Sequence, residues 1–395
     1  MNNKNQQILE GSRAIALTIN NIGPAVISAY PITPQTHIVE DLAKFKADGD
    51  ADYEYARAES EFAAASIVEG ASAAGARVYT ATSSQGLLLM AEVLFNIAGM
   101  RLPIVVTCAN RGVSAPITIW NDQQDAMTIR DAGWIQMFAE NHQEAVDQHI
   151  MAYKIAEQTN LPVMVNIDGF VLTHSYEPVI IPTRAQIKKY LPDYKPKKGQ
   201  YLDPANPVTL GAFARPQHYM EIRQDLHNDL MSSLNLINKE YIKYRKTIKT
   251  MKSGIGCPMS DFGAENNGLV EYYGPKKPKI ILVAMGSVIG TIKEVADKTK
   301  GVGALKIKTY RPFPEDAIFN ILKKAKYVAV LDKSISLGHI GPLASDIKSA
   351  MQGKIKAKIQ SFIVGLGGRD ITKEMIGGIV REVKKGDGGV KFIGK

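Results

Sequence analysis

The sequence has 395 residues, of which 45% are hydrophobic and 22% charged, and its formal net charge is +9. This length allows two or three domains with substantial cores, and the composition is that of an ordinary globular protein. No window approaches 18 uncharged apolar residues, and the amino terminus lacks a signal-peptide pattern. We therefore expect a cytoplasmic protein that does not enter a membrane.

The net positive charge raises the question of nucleic-acid binding. The lysines are scattered through predicted helices and linkers, and segment 242–249 mixes aromatic with cationic residues. Solvated helix surface explains that segment better, so we expect no nucleic-acid site. A positive face could also dock an acidic protein partner.

The cysteines and histidines give no metal motif. Cys108 and Cys257 are far apart and form no CxxC pair, so we expect no iron–sulfur cluster or zinc held by this chain alone. The seven histidines contain no HExxH pattern. His142 and His149 are seven residues apart, a spacing that we attribute to a polar surface helix. The sequence thus predicts no metal ligand.

The amino-terminal part alternates between strands and helices. Apolar runs typical of buried strands occupy 25–29, 77–82, 103–108 and 162–167. The Ala-rich segment 61–76 and the apolar segment 86–100 read as helices between them. Continuous apolar strands alternating with helices indicate a parallel sheet with helices on both faces.

A long helix then separates two parts of the chain. Residues 220–249 contain no proline or glycine, and their apolar positions recur every three or four residues. The Gly- and Asn-rich segment 252–268 reads as a loop. Further strands are predicted at 279–285, 305–310, 327–332 and 360–365, with helices at 290–300 and 313–325. We therefore predict domains at 1–250 and 251–395.

Several glycine clusters resemble nucleotide or diphosphate motifs but lack essential residues. Segment 365–370 has Asp370 where a dinucleotide fingerprint needs Gly or Ala, and 286–291 lacks a P-loop lysine. The segments 48–50 and 386–389 lack the asparagine that completes the metal–diphosphate motif of thiamine enzymes. We interpret all of them as turns.

The motif "AYPITPQT" (29–36) follows the first predicted strand. Tyr30 and Thr33 each precede a proline, and this restricts their backbone. Because α/β sheets bind ligands at the carboxyl ends of their strands, this stiffened strand end is a candidate site for a small polar ligand. An ordinary turn into a helix, with Pro34 near its first position, is the alternative.

Three further segments carry polar residues at predicted strand or helix ends. Glu61 begins the Ala-rich helix, where it could hydrogen-bond a ligand nitrogen or simply interact with the helix dipole, with Ser60 near the cap. The polar turn 80–86 ends a strand. Arg111 follows the strand 103–108 and could bind a carboxylate bidentately, although a surface ion pair is the alternative.

Seven segments together resemble the alpha subunits of the 2-oxoacid:ferredoxin oxidoreductase family, in order and over nearly the whole chain. They are "AYPITPQT" (29–36), "ESEFAAASIVEGASAAGA" (59–76), "TATSSQGLLLMAEVLFNIAGMRLPIV" (80–105), "NRGVSAPITIWNDQQD" (110–125), "GWIQMFAENHQEAVD" (133–147), "YRPFP" (310–314) and "FIVGLGGRDIT" (362–372). The resemblance implies a thiamine diphosphate-enzyme pyrimidine-binding domain followed by an α/β domain like the transketolase carboxy-terminal domain.

The resemblance also implies an activity and its cofactors. The activity would be coenzyme A-dependent oxidative decarboxylation of pyruvate to acetyl-CoA and CO₂, with electrons passed to ferredoxin, or the reverse synthesis. Thiamine diphosphate would be shared with a beta subunit, which would hold Mg²⁺. The [4Fe-4S] clusters would lie on the beta subunit and a ferredoxin-like delta subunit, and a gamma subunit would complete the complex. The two isolated cysteines and the incomplete diphosphate motifs agree with this division.

Residue roles follow from the matched motifs. Glu61 matches the catalytic glutamate that hydrogen-bonds the aminopyrimidine ring, and Tyr30, Pro31 and Ile32 would lie against the cofactor. Thr33 and Arg111 match the residues that position the substrate carboxylate.

The match also has departures. Gly112 stands where relatives more often have Ala or Ser, and Thr118 stands where Asn is usual. A glycine there is expected to loosen the loop and could change the substrate preference. The alternatives are a relative acting on 2-oxoglutarate, 2-oxoisovalerate or oxalate, or a transketolase-like transferase without electron transfer.

Overall fold

A computed structural model describes residues 6–250, 266–386 and 389–394 of the chain. The described residues form an α/β fold. The strands are β1 Gln6–Glu10, β2 Val26–Ala29, β3 Glu54–Arg57, β4 Val78–Thr82, β5 Val105–Asn110, β6 Ile135–Phe138, β7 Val163–Asp168, β8 Tyr176–Ile180, β9 Val270–Tyr273, β10 Ile280–Ala284, β11 Val302–Ile307, β12 Thr309–Arg311, β13 Tyr327–Asp332, β14 Lys358–Ile363 and β15 Val390–Phe392.

The helices alternate with these strands along most of the chain. They are α1 Gly11–Ile22, α2 Thr36–Ala47, α3 Glu61–Ala73, α4 Ser84–Leu89, α5 Ala91–Gly99, α6 Gln124–Thr128, α7 His142–Thr159, α8 Arg184–Tyr190, α9 Pro216–Thr247, α10 Val288–Lys298, α11 Glu315–Leu322, α12 Pro342–Met351 and α13 Lys373–Glu382. In the part of the chain described, no helix combines the length and apolarity that crossing a membrane requires.

The first sheet has seven strands in the order β12-β6-β7-β5-β4-β2-β3. All its pairings are parallel except the one between β12 and β6. Strands β4, β5 and β7 are buried along their whole length, as expected where helices cover both faces of a sheet. The predicted parallel sheet is confirmed, although its strands β3 and β6 were not predicted. Strands β1 and β8, also not predicted, form a separate two-stranded antiparallel sheet.

The second sheet has six strands in the order β15-β14-β13-β10-β11-β9. Its pairings are parallel except for the edge strand β9, which runs antiparallel to β11. The predicted strands at 279–285, 327–332 and 360–365 correspond to β10, β13 and β14. The α/β organisation of this half is therefore also confirmed.

The segment 305–310 behaves differently from its prediction as one strand. It is divided between β11, in the second sheet, and β12, which pairs with β6 in the first sheet. A short strand from the carboxy-terminal half thus completes the amino-terminal sheet. The domain boundary near 250 stays a prediction, because most of the predicted loop 252–268 lies outside the described residues.

The two sheets are joined by a shared core and by buried ion pairs. One cluster of buried apolar side chains contains residues of both sheets, among them Ile135 and Leu305. Lys306 has a side chain that is 4% exposed, and its Nζ lies 2.6 Å from Glu140 and 3.0 Å from Glu271. Burial opposes its charge, but these carboxylates raise the pKa of Lys306 well above its usual value. The lysine therefore remains charged at this junction.

The long helix α9 confirms the predicted periodicity over its second half. Ile237, Tyr241 and Tyr244 are buried, whereas Ile222 is 49% exposed. The Tyr244 hydroxyl donates a 2.7 Å hydrogen bond to Asp147 of α7 and so anchors the helix. The predicted single helix at 86–100 is instead two helices, α4 and α5, which meet at Met90.

The interpretation of His142 and His149 as surface residues was wrong. Both lie on α7, but they are at most 1% exposed, because this helix is packed on several sides. The His149 Nε2 atom lies 2.6 Å from the Thr107 hydroxyl, and its Nδ1 faces the Ala145 carbonyl oxygen. Burial lowers the pKa of His149 to about 4. It is a neutral core residue.

Candidate functional site

The predicted site residues lie at the carboxyl edge of the first sheet. The loops that follow β2, β4, β5 and β7 all leave the sheet at this edge, because these strands are parallel neighbours. The chain passes from β2 to β3 on one side and returns to β4 on the other. This reversal creates a crevice beside β2, which is where α/β sheets bind ligands.

The loop after β2 is held by a buried glutamine. Gln35 is fully buried; its Nε2 donates to the Ala81 carbonyl oxygen at 2.7 Å, and its Oε1 accepts from the Ile32 amide at 3.2 Å. Helix α2 begins just beyond, at Thr36. Sequence reasoning named the prolines of this motif but missed Gln35, which ties the loop to β4.

The other residues of this motif differ in exposure. Tyr30 is 38% exposed, Pro31 is exposed and Ile32 is half-buried. They lie at the mouth of the crevice, where a ligand could contact them.

Glu61 is the first residue of α3 and is 7% exposed. The Ser60 hydroxyl caps the helix by accepting a 3.1 Å hydrogen bond from the Ala63 amide, as predicted. Gly86, the third residue of α4, lies against Glu61. A Cβ atom on Gly86 would be 2.6 Å from Glu61 Oε1 and 2.5 Å from Thr82 Oγ1. Only glycine leaves room for the carboxylate in this position.

The Thr82 hydroxyl beside Glu61 is a buried polar group that has no hydrogen-bond partner among the described residues. Such unpaired groups are rare in proteins and call for an explanation. The segment 80–86, predicted to end a strand in a polar turn, comprises the end of β4 and the start of α4, and it places this unsatisfied hydroxyl beside the Glu61 carboxylate of α3.

Arg111 is buried, 6% exposed, and its guanidinium spans two loops. Its Nη1 donates to the Thr33 carbonyl oxygen at 2.8 Å, and its Nε donates to the Thr118 carbonyl oxygen at 2.6 Å. Burial lowers the pKa of Arg111, and Asp125 opposes that shift. The structure thus brings Thr33 and Arg111 together, and leaves Nη2 as the nitrogen that a ligand carboxylate could reach.

The backbone of this site is organised by Asp125, which sequence reasoning missed. Its carboxylate is fully buried and accepts hydrogen bonds from the Ser84 and Arg111 amides, both at 2.9 Å, and from Asn110 Nδ2 at 3.1 Å. Burial raises the pKa of Asp125, while these hydrogen bonds oppose the shift. One side chain therefore fixes the turn after β4 and the start of the loop after β5. The available signal was the acid at the start of α6, which resembled an ordinary helix-terminal residue.

Gly112 does not loosen the loop, contrary to the expectation. Its carbonyl oxygen accepts a 2.6 Å hydrogen bond from the Ser84 hydroxyl, and its amide donates to the Trp120 carbonyl oxygen at 3.3 Å. A Cβ atom at this position would be 2.6 Å from Thr118 Cγ2. The glycine instead allows the two ends of the loop to approach each other closely.

The second half of the chain reaches the site through a buried ion pair. Asp168, at the end of β7, lies 2.8 Å from Lys333 Nζ, which follows β13. Its carboxylate also accepts from the Ser287 amide at 2.7 Å, and from Asn121 and Gln123 at 3.1 Å each. Burial alone raises the pKa of Asp168, but Lys333 and the hydrogen bonds from Ser287 hold it below its usual value.

Two of the glycine segments interpreted as turns, 286–291 and 365–370, also contact this edge. Gly286 and Gly365 have positive φ angles of 73° and 66°, as turns require. The Gly368 amide donates to the Asn121 carbonyl oxygen at 2.7 Å, and a Cβ atom on Gly368 would be 2.5 Å from Trp120 Cβ. The turn at 365–370 thus packs against the loop that follows β5, and the turn at 286–291 packs against Asp168. The sequence did not reveal these contacts.

The loop between β5 and α6 also presents apolar side chains at the surface. Ile117 is 77% exposed, Ile119 is 40% exposed and Trp120 is 50% exposed. Large apolar side chains grouped in this way are typical of a surface that contacts a partner.

Two family profiles match the chain. Residues 18–241 match "Pyruvate flavodoxin/ferredoxin oxidoreductase, thiamine diP-bdg", and residues 278–376 match "Pyruvate:ferredoxin oxidoreductase core domain II".

Named relatives cover nearly the whole chain. Pyruvate synthase subunit PorA of Methanosarcina barkeri is 46% identical over 97% of this chain and 93% of its own. Ketoisovalerate oxidoreductase subunit VorA of Pyrococcus horikoshii is 38% identical over 96% of this chain and 94% of its own.

A solved structure shares the fold. It is 2-oxoglutarate:ferredoxin oxidoreductase from Magnetococcus marinus with 2-oxoglutarate, coenzyme A and succinyl-CoA bound, and it matches with a TM-score of 0.70 at 21% identity. The match covers 97% of this chain and 66% of that one, so the present chain spans about two thirds of its length.

Proposed function

Since the chain belongs to the pyruvate:ferredoxin oxidoreductase family, we propose that it is the alpha subunit of a cytoplasmic, heteromeric pyruvate synthase. The complex would convert pyruvate, coenzyme A and two oxidised ferredoxins to acetyl-CoA, CO₂, a proton and two reduced ferredoxins, or catalyse the reverse. The higher identity to the pyruvate synthase relative, 46% against 38% for the ketoisovalerate relative, carries the choice of pyruvate.

The site has features suited to the aminopyrimidine of thiamine diphosphate. Glu61 offers a nearly buried carboxylate to a ring nitrogen, and the unpaired Thr82 hydroxyl lies beside it. Gly86 keeps the approach to that carboxylate open. The bound cofactor supplies the carbon nucleophile on which decarboxylation depends.

Glu61 would hold the cofactor by hydrogen-bonding a nitrogen of its aminopyrimidine ring, where it would share a proton. Tyr30, Pro31 and Ile32 would lie against the ring.

Thr33 and Arg111 orient the substrate in this proposal. The Thr33 and Thr118 carbonyl oxygens already hold the Arg111 guanidinium in place. Binding of a carboxylate therefore requires little rearrangement of this side chain. Holding that carboxylate through one remaining nitrogen limits ground-state stabilisation, which suits a group that must leave as CO₂.

Partner subunits complete the site in this proposal. Mg²⁺ and the diphosphate would be held by a beta subunit, and [4Fe-4S] clusters by the beta and delta subunits, with a gamma subunit also present. The exposed side chains of Ile117, Ile119 and Trp120 support a partner surface at the mouth of the crevice. Cys108 is buried, so it is a poor cluster ligand.

The first experiment is an anaerobic purification of the complex, assayed for viologen reduction with pyruvate, 2-oxoglutarate, 2-oxoisovalerate or oxalate. Pyruvate as the best substrate, with iron-containing partners, is the expected result. A complex without iron and without oxoacid activity would contradict the proposed function, and another preferred oxoacid would contradict the substrate.

Glu61→Gln tests the catalytic residue within the same complex. We expect turnover to fall by about 10²–10⁴-fold, the usual contribution of a proton-transferring side chain. Glu59→Gln is the matched control, because Glu59 is exposed in the bend just before α3 and its substitution should leave turnover unchanged. Wild-type turnover in the Glu61 variant would refute its role.

A further inference from the structure

Three potential metal ligands from distant parts of the chain lie close together beside the loop 29–36, which follows β2. Glu10 ends β1, His37 is the second residue of α2, and His174 lies shortly before β8. One ligand atom from each residue lies within 4.8 Å of the other two. The His37 Nδ1 atom is 2.7 Å from Glu10 Oε1, and the two imidazole rings have their centroids 4.6 Å apart.

The His174 ring is oriented by its neighbours. Its Nδ1 atom lies 2.7 Å from the Thr173 hydroxyl, which also accepts a 2.8 Å hydrogen bond from the Phe170 amide. Phe170 lies against the same ring, with the two ring centroids 4.5 Å apart. An imidazole held through one nitrogen in this way presents the other nitrogen, Nε2, to a metal.

The donor set favours a particular kind of ion. Two imidazoles and one carboxylate suit zinc and similar transition metals, whereas Mg²⁺ and Ca²⁺ prefer oxygen ligands. Bonds of about 2.0–2.1 Å in a tetrahedron place ligand atoms about 3.3 Å apart. The three ligand atoms must therefore move slightly closer together on binding. The His37 side chain, which is 47% exposed, has room to make this movement.

We propose that Glu10, His37 and His174 bind one Zn²⁺ ion, with water as the fourth ligand. The ion ties β1 and the first turn of α2 to the loop that follows β7. This loop also supports the substrate-binding motif, because a Cβ atom on Gly169 would be 2.7 Å from Pro34 Cγ. The site is structural and does not depend on the activity proposed above.

The test uses the full-length chain after treatment with a chelator, titrated with Zn²⁺ against a chromophoric competitor. We expect one Zn²⁺ per chain, and Co²⁺ added in its place to give the intense visible absorption of a four-coordinate site. His37→Ala and Glu10→Gln should each weaken Zn²⁺ binding by at least about 100-fold, more than the loss of an outer-shell partner costs.

His218→Ala is the matched control, because this exposed histidine lies on α9. It should bind Zn²⁺ like the wild type. Zn²⁺ should also raise the melting temperature of the wild type and the control but not that of the His37 variant. Absence of stoichiometric binding, or equal binding by wild type and both site variants, would overturn the proposal.

Discussion

Replacement of Lys333 by methionine tests the buried contact that joins the second sheet to the site. Lys333 and Asp168 have side chains that are 5% and 1% exposed, and their charged atoms are 2.8 Å apart. The variant retains most of the side-chain volume but leaves the Asp168 carboxylate buried without its cation. Removing one partner of a buried pair typically costs about 3–5 kcal/mol.

The expected loss lies at the lower end of that range. Ser287, Asn121 and Gln123 still donate to the Asp168 carboxylate in the variant, so its charge is partly compensated. We expect about 3 kcal/mol at neutral pH. With an unfolding entropy of about 2.1 cal/mol/K per residue, a chain of 395 residues should then melt about 4 °C lower.

The loss should also depend on pH. In the wild type the pKa of Asp168 is held low, so its stabilisation is present above the ordinary aspartate pKa and is lost as the pH falls. Without Lys333, burial raises that pKa, and the variant loses stability as the pH rises. The difference between the two proteins should therefore be small near pH 4 and largest above pH 7.

Thermal unfolding of the full chain between pH 4 and 8 measures this difference. Lys188→Met is the matched control: its Nζ is also 2.8 Å from an aspartate, Asp193, but both side chains are well exposed. Exposed pairs contribute about 0–1 kcal/mol, so this variant should melt like the wild type. Equal losses in the two variants, or a loss at Lys333 that does not change with pH, would refute the reasoning.

Two further substitutions test contacts in the amino-terminal half of the chain. Gly86→Ala should destabilise the chain by about 1–3 kcal/mol and lower turnover, because the added Cβ would displace the Glu61 carboxylate. Gly70→Ala is the control and should be neutral or stabilising, since no atom lies within 4 Å of a Cβ there. Similar melting temperatures for the two variants would contradict the predicted crowding at Gly86. Burial raises the pKa of Asp147 to about 7, so the wild type loses stability as the pH rises from about 4 to 7. Asp147→Asn removes this titrating group and should therefore flatten the pH dependence of stability. Melting curves at several pH values measure this effect, and an unchanged slope would contradict it.

The sequence by itself determined the fold class, the family and the main candidate residues. The parallel strands were visible as continuous apolar runs, because a strand covered on both faces has no polar side to interrupt the pattern. The motifs around Thr33, Glu61 and Arg111 were visible because turns at strand ends need particular residues within a few positions. Both signals are local, so a reader of the sequence has access to them.

The tertiary structure decided what depends on contacts between distant positions. Asp125, Asp168 and Lys333 are ordinary charged residues in the sequence, and only burial beside specific donors makes them organise the site. Glu10 and His174 lie close together because β1 pairs with β8. Their separation along the sequence does not predict this contact. The periodicity of a helix or strand is visible in the local sequence, whereas the partner of a buried charge is set by tertiary contacts between distant positions.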